Sequence, residues 1–377
     1  MYWQREKIRK AATWSVGGTY TLELPDHGLL GSIMIHAYQG AVLDSMVAIE
    51  KWRMVDYIKK IEVIGNGSEI IKSVNGRIGK YLAWLDGGGG APDKAHNYGT
   101  STKRHHSVIN FGRKLFDPDY GLDLGRWGSV EIKLTNDAAA AQFTSAINVD
   151  VICYWLREGS PSQFKGYFRT EQWREWTTVA AEKKYLELPL QHVLRRLILQ
   201  TDPDVDGSMM AETTLYNLAY NIELSIRSGK LKVFNDNLRD LWYENYFNFG
   251  RDIIQPLEPY HTQDYGIRMG IGQTLAIAGA RIPHDGTQDT ATPSFSPGED
   301  SSTQKRMTDT DADQESILAM GLALENCAVI PFDQYDDPST WLDLRADGTV
   351  QLMIETTNAA SAADGNIVAV TDRLVTG

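Results

Sequence analysis

The stretch LDLGRWGSVEIKLTNDAAA, residues 122–140, recurs as LDLRADGTVQLMIETTNAA at residues 342–360. Aligned without a gap, Leu122-Asp123-Leu124 falls on Leu342-Asp343-Leu344, Gly128 on Gly348, Val130 on Val350 and Ala139-Ala140 on Ala359-Ala360. Each copy reads as a turn followed by a strand with period-two alternation. Two further pairs keep the same order along the chain. YTLELP at Tyr20 answers YLELP at Tyr185, 165 positions on, and IEVIGNGSEIIKSVNGRIGKYL at Ile61 answers IELSIRSGKLKVFNDNLRDLWY at Ile222, 161 positions on. One such pair is within reach of chance, because strand–turn–strand segments draw on a small alphabet. Three in the same order mark a duplicated unit. The step from an offset of 161 to one of 220 assigns about 59 extra residues to the second copy, between Tyr243 and Val329.

Period-two patterning dominates both copies. TYTLELP, SIMIHAY, IKKIEVI, SVEIKLT and INVDVICYW in the first half alternate or run apolar over strand lengths. KYLELP, RRLILQT, YNIELSI, TVQLMIE and NIVAVTD do the same in the second. Helical spacing is brief. NDNLRDLWYENYF places Leu238, Leu241 and Trp242 on one face behind an N-cap expected at Asn235 or Asp236, and NGRIGKYLAWL is its counterpart. A βαβ architecture needs a helix after nearly every strand, and the pattern lacks them. The expected fold is all-β: two tandem eight-stranded jelly-roll β-sandwiches with short helices and long loops. Expected boundaries are an N-terminal arm over residues 1–18, a first sandwich over 19–157, a linker over 158–183 and a second sandwich over 184–377. Residues 280–314, rich in Gly, Pro, Ser, Thr and Asp, are expected as a long exposed loop, because they offer little apolar area to offset ordering entropy.

The bulk composition narrows the partners. A net charge of −12 over 377 residues argues against nucleic acid as a partner of the whole surface. No apolar run approaches the ~20 residues of a membrane span, and MYWQREKIRKAATW lacks the apolar region of a secretory signal. Cys153 and Cys327 lie in or beside the apolar segments VDVICYWL and LALENCAVI, the setting of buried free thiols and of folding in a reducing compartment.

The duplicated order across nearly the whole chain, the IEVIGNGSEIIKSVNG element at Ile61 and the oversized loop in one copy carry a family resemblance. The sequence resembles the double jelly-roll major capsid proteins of tailless icosahedral viruses, many of which carry an internal membrane. That resemblance implies a structural, non-catalytic protein without cofactors. It implies a homotrimer that presents six similar barrels as a pseudo-hexagonal block, and lateral trimer contacts in a virion shell assembled in the host cytoplasm. It also implies minor capsid proteins such as a penton as partners, and no sequence-specific nucleic-acid binding. Tyr2, Trp3, Arg5, Lys7, Arg9 and Lys10 would then form an inner-shell or membrane-facing arm, mixing aromatics and cations as segments at anionic surfaces do. Packing under a neighbouring barrel is the plainer reading of the same residues. GYFRTEQWREW at Gly166 is an equivalent lead-in, with Tyr167-Phe168 lying 165 positions after Tyr2-Trp3.

Competing classes find less support. A two-barrel metal enzyme needs an H-x-H pair with a following Glu, and no H-x-H occurs; His105 and His106 are adjacent, so on a strand they point to opposite faces. Asp202, Asp204 and Asp206 in TDPDVDGS are candidates for a structural calcium ion. The twelfth position is Thr213 rather than an acid, and a solvated turn is the simpler reading. Gly87 to Gly90 lacks the GKS or GKT of a phosphate cradle, and no G-x-S-x-G elbow is present. The 10 Trp, 17 Tyr and 10 Phe leave open a carbohydrate-binding or carbohydrate-active tandem sandwich.

Overall fold

Where apolar residues alternate along a segment, one face of a strand can be buried and the ladder satisfies the backbone. The first half contributes β1 (Tyr2–Trp14), β2 (Thr19–Glu23), β3 (Leu29–Gln39), α1 (Met54–Tyr57), β4 (Ile58–Gly65), β5 (Glu69–Val74), α2 (Gly76–Gly87), β6 (Ala95–His96), β7 (Lys103–Asn110), β8 (Leu122–Asp123), β9 (Val130–Asn136) and β10 (Ile147–Arg157). Strands β1–β10–β3–β7 form one sheet, with β8 added to β3, and β2–β9–β4–β5 run side by side in a second. Ile33, Ile35, Val149 and Val151 from the first pack with Ile61, Val63, Ile132 and Leu134 from the second in one buried cluster. The computed structural model describes residues 1–39, 53–87, 95–96, 103–138, 146–160, 163–202, 215–249, 253–258, 260–261, 265–268, 270–282, 294–295, 304–308, 313–333, 337–346, 348–359 and 365–376.

The second half opens with β11 (Gly166–Thr177), β12 (Lys183–Glu187), β13 (Val193–Asp202), β14 (Asn221–Ile226), β15 (Leu231–Asp236) and α3 (Leu238–Phe249). An inserted group follows: β16 (Ile253–Glu258), β17 (Tyr260–His261), β18 (Tyr265–Arg268), β19 (Ile271–Ile282), β20 (Ser294–Phe295), β21 (Gln304–Thr308) and β22 (Asp313–Leu324). The half closes with β23 (Cys327–Pro331), β24 (Leu342–Asp343), β25 (Val350–Glu355) and β26 (Asn366–Thr376). Its sheets are β11–β26–β13–β23, with β24 added to β13, and β12–β25–β14–β15. Strand for strand, this is the order of the first half.

Residue registers make the equivalence quantitative. Leu30 pairs with Leu122 and Leu194 with Leu342, so the repeated Leu-Asp element holds the same place in both sandwiches. Asp123 accepts a hydrogen bond from the Gly125 N–H at 3.1 Å, and Asp343 accepts one from the Arg345 N–H at 3.1 Å. Ile61 pairs with Leu134 and Ile222 with Ile354, preserving the 161 offset. In the Tyr20 pair the true offset is 164, because Leu22 faces Ile132 and Leu186 faces Leu352. Tyr185 therefore answers Thr21, and ELP rather than the tyrosines carries the equivalence. The turn between β14 and β15 is one residue longer than its counterpart, so β5 and β15 are related by 162: Val63 pairs with Lys72 and Leu224 with Phe234.

Sandwich register also corrects the N-cap. The Ile78 N–H donates to Asn75 Oδ1 at 2.8 Å and the Asp240 N–H to Asn237 Oδ1 at 2.9 Å, so the cap of α3 is Asn237, 162 positions after Asn75, rather than Asn235 or Asp236. Those two residues instead end β15.

Three boundary expectations give way. Residues 2–14, expected within an N-terminal arm, are β1, paired with β10 from Tyr2 to Trp14 with two register shifts. Gly166–Thr177, expected as linker, is β11, paired with β26. Trp3 sits opposite Leu156 and Phe168 opposite Leu374, so the two lead-ins are equivalent barrel strands. Their mixed polarity misled the reading because each has one face toward solvent and lies at the margin of its own four-strand set. Residues 280–314 are not wholly loop: β19 runs to Ile282, β20 and β21 pair within the segment, and β22 begins at Asp313. A ladder started by apolar Ile271 and Leu324 can continue into polar sequence, since its hydrogen bonds are between backbones. The rest of that segment lies outside the described residues.

Candidate functional site

The two sandwiches are joined through a polar seam as well as an apolar one. Strand β5 pairs in parallel with β11, Lys72 opposite Thr170 and Ser73 opposite Glu171, so one sheet of each sandwich merges into a single continuous sheet. Helix α2 lies over the seam. Ile78, Tyr81 and Leu85 of α2 belong to the same buried cluster as Ile198, Val329 and Val370 of the second sandwich.

Into this seam the chain places charge. Arg53 Nη1 donates to Glu325 Oε1 at 2.8 Å and Arg53 Nη2 to Asp56 Oδ1 at 2.6 Å, while Lys80 Nζ stands 3.0 Å from Glu325 Oε1. All four side chains are buried. Burial alone would raise the Glu325 carboxyl, but Arg53, Lys80 and Arg77 overcome it and hold the group down at about 2. Gly270 makes this approach possible: its φ is +69, and a Cβ there would run into the Arg53 guanidinium.

A second group lies further along. Arg196 Nε donates to Asp372 Oδ2 at 2.8 Å, and Arg196 Nη1 to Asp86 Oδ1 at 2.7 Å. Lys72 Nζ donates to Thr170 Oγ1 at 2.6 Å, and the Thr170 hydroxyl donates to Asp372 Oδ1 at 2.6 Å. Burial brings the Lys72 ammonium down to about 8, with Asp372 and Asp86 opposing the fall. Arg195 donates to Asp333 at 2.6 Å and stacks over Phe168, 5.0 Å from the ring centre. Phe168 in turn packs with Tyr120 and Trp341 in a small aromatic cluster spanning both sandwiches. Asn75, besides capping α2, donates to Gln200 Oε1 at 2.9 Å. Buried ion pairs of this kind add little net stability, yet losing one partner strands the other. Their chemical capacity is to specify one orientation of the two sandwiches.

This network was missed in the sequence. Its signal was present: Arg195-Arg196 interrupt the apolar strand of RRLILQT, Lys80 interrupts RIGKYLAWL and Glu325 interrupts LALENCAVI. Which cation meets which anion, however, depends on contacts up to 272 positions apart.

The β1 residues lie along the flank of the first sandwich. Tyr2, Arg5, Lys7, Arg9 and Lys10 are exposed, while Trp3 packs beside Leu29, Leu156 and Phe164. Lys7 Nζ is 2.6 Å from Asp150 Oδ2, and the Ala11 N–H donates to Asp150 Oδ1 at 2.7 Å. Next to Asp150, His36 stacks on His106 with ring centres 4.1 Å apart. Burial, followed by the neighbouring His106, lowers His36 to about 4. His105 faces the other way, buried, with Nε2 2.9 Å from Ser107 Oγ.

Of the calcium candidates, Asp202 ends β13 and its carboxylate is held by Arg77, one oxygen at 3.2 Å from Nη1; Asp204 and Asp206 lie outside the described residues. Both cysteines are buried and free, and burial pushes the Cys153 thiol up to about 12. No helix among the described residues is long and apolar enough to cross a membrane.

No family model matches the chain, and no curated protein matches its sequence. Solved structures do share its fold. A structure of the Sulfolobus turreted icosahedral virus contains a chain at TM-score 0.62 and 10% identity, covering 99% of this chain and 91% of the other. The major capsid protein P2 of bacteriophage PM2 superposes at TM-score 0.51 and 11% identity, covering 100% and 98%. A chain of the PBCV-1 virus capsid does so at TM-score 0.55 and 10% identity, covering 99% and 94%. The chain has the double jelly-roll fold over its whole length.

Proposed function

We propose that this chain is a major capsid protein, a structural unit whose work is self-assembly into an icosahedral shell. One observation carries the reading: both sandwiches, in tandem and in this order, correspond end to end to chains of virus capsids. A tandem pair suits that task. Three copies supply six similar barrels, a near-hexagonal block that tiles a lattice, while each barrel remains free to diverge at its own edges.

The block is a stable homotrimer, with interfaces above the roughly 2,000 Å² of permanent assemblies. Its residence is the virion, its assembly site the host cytoplasm, and its further partners are minor capsid proteins at the fivefold positions. The exposed cations Arg5, Arg9 and Lys10 on β1 serve contacts within the shell. Lying on a strand that pairs with β10, they suit packing against a protein neighbour better than contact with an internal lipid layer. Size-exclusion chromatography with light scattering tests the reading. The expected mass is three times 42.2 kDa, and a clean monomer at micromolar concentration overturns it.

A further inference from the structure

We infer that the seam inside the chain is repeated between chains: β15 of one copy pairs in parallel with β1 of a second, and α3 docks on the outer face of that copy's β10–β3–β7 sheet. The proposal rests on the capsid reading and specifies the contact by which its subunits meet.

The duplication supplies the argument. Within the chain, the seam joins β5 and α2 of the first sandwich to β11, β13 and β23 of the second. The second sandwich has its own β5 and α2, namely β15 and α3, and the first has its own β11, namely β1. Among the described residues both β15 and β1 end their sheets, each with one unpaired edge. One irregularity is shared: β1 shifts register between Lys7 and Arg9, and β11 between Gln172 and Arg174, while β1 alone shifts again between Arg9 and Ala12.

Side chains tell the same story. Tyr81 and Leu85 of α2 are 2% and 8% exposed in the seam; their counterparts on α3, 162 positions on, are Tyr243 and Phe247, exposed at 44% and 85%. Large apolar side chains in such positions mark a contact surface. The receiving face agrees. Ile198, Gln200, Cys327 and Val329 are buried beneath the internal seam, and the equivalent Met34, His36, His106 and Val108 of the first sandwich are all half-buried at the surface. Both halves of a second seam are thus present on one chain, at opposite ends, where only another copy can bring them together. Such a head-to-tail contact closes into a ring or runs on as a filament; the capsid reading closes it at three.

The register follows from Lys72 opposite Thr170 and Ser73 opposite Glu171. Between copies it places Phe234 opposite Arg5 and Asn235 opposite Glu6. The buried Lys72–Thr170–Asp372 chain becomes a Phe234 ring, the Arg5 guanidinium and the Tyr154 ring, since Arg5 is paired with Tyr154. Cation and aromatic replace cation and carboxylate.

The test is cross-linking of the full chain carrying Phe234→Cys and Arg5→Cys, with a short bismaleimide. The native thiols are buried and remain silent. The expected product is a covalent trimer, absent from either single variant and from a control carrying Phe234→Cys with Thr13→Cys at the far end of β1. Trimers by light scattering that do not cross-link at this pair overturn the inference and leave the capsid reading standing; a monomer overturns both. Independently, Phe247→Lys, a change at an exposed site, is expected to raise the concentration for half-dissociation roughly 100-fold with unchanged thermal melting of the dissociated chain. A trimer indifferent to it removes the helix from the interface.

Discussion

Helices α2 and α3 descend from the same position in a duplicated unit, yet they present opposite chemistry to their outer sides. On α2 the outer side carries Arg77, Lys80 and Asp86, each engaged with an acid or base of the second sandwich. On α3 the equivalent positions are Arg239, Trp242 and Asn248, and the prominent exposed residues are Tyr243 and Phe247. In the proposed trimer the difference follows from when each surface meets its partner. The α2 seam closes within one folding chain, so its charges never need to be stable as an isolated buried set, and they can enforce a unique alignment. A surface awaiting another molecule must remain soluble beforehand, which favours amphipathic aromatics over preassembled ions.

The largest break in that comparison is Glu325→Ala. It leaves Arg53 and Lys80 buried without their carboxylate, and a loss of about 3–5 kcal/mol is expected in urea unfolding. No substitution at the exposed α3 positions Tyr243 and Phe247 is expected to approach that cost. Acid provides the same test without mutation. Because the Glu325 carboxyl is depressed from 4.5 to about 2, its contribution is complete above pH 4.5 and disappears as pH falls toward 2. That limb carries up to about 3 kcal/mol, and it should be missing from the unfolding profile of a Glu325→Gln variant.

The two helix caps sharpen the comparison at smaller scale. Asn237→Ala removes the cap and an exposed bond to Asp240 and should cost about 1 kcal/mol. Asn75→Ala also breaks the bond to Gln200 across the seam and should cost about 2 kcal/mol. Equal losses by denaturant titration would show that the seam does not draw on Asn75. Smallest of all, Phe247→Ser should change the stability of the isolated chain by less than about 0.5 kcal/mol, because the residue is 85% exposed.

Much of the fold was legible because strand sequences advertise their buried face every second residue. The Leu122 and Leu342 elements, the Ile61 and Ile222 hairpins and the insertion all stand where their letters put them. The offset rises from 162 at the helix caps to 221 at β7 and β23, where Ile33 meets Ile109 and Leu197 meets Ile330; the difference is the 59 residues expected. Errors came where one face of an element is solvated, as in β1, β11 and the polar ends of the β19–β22 hairpin, because partial exposure and loop composition look alike in one dimension.

By itself, the sequence determined that two like sandwiches follow one another and that the second carries an insertion, since both facts are written in local periodicity and its recurrence. Only the tertiary structure decided that β5 joins β11, that Arg53 finds Glu325 and Arg196 finds Asp86 and Asp372, and that Tyr243 and Phe247 of α3 are exposed where Tyr81 and Leu85 of α2 are buried. Those outcomes depend on which distant surfaces meet. A charged residue in a strand carries no local mark of its partner, whereas a buried face carries its mark in every second letter.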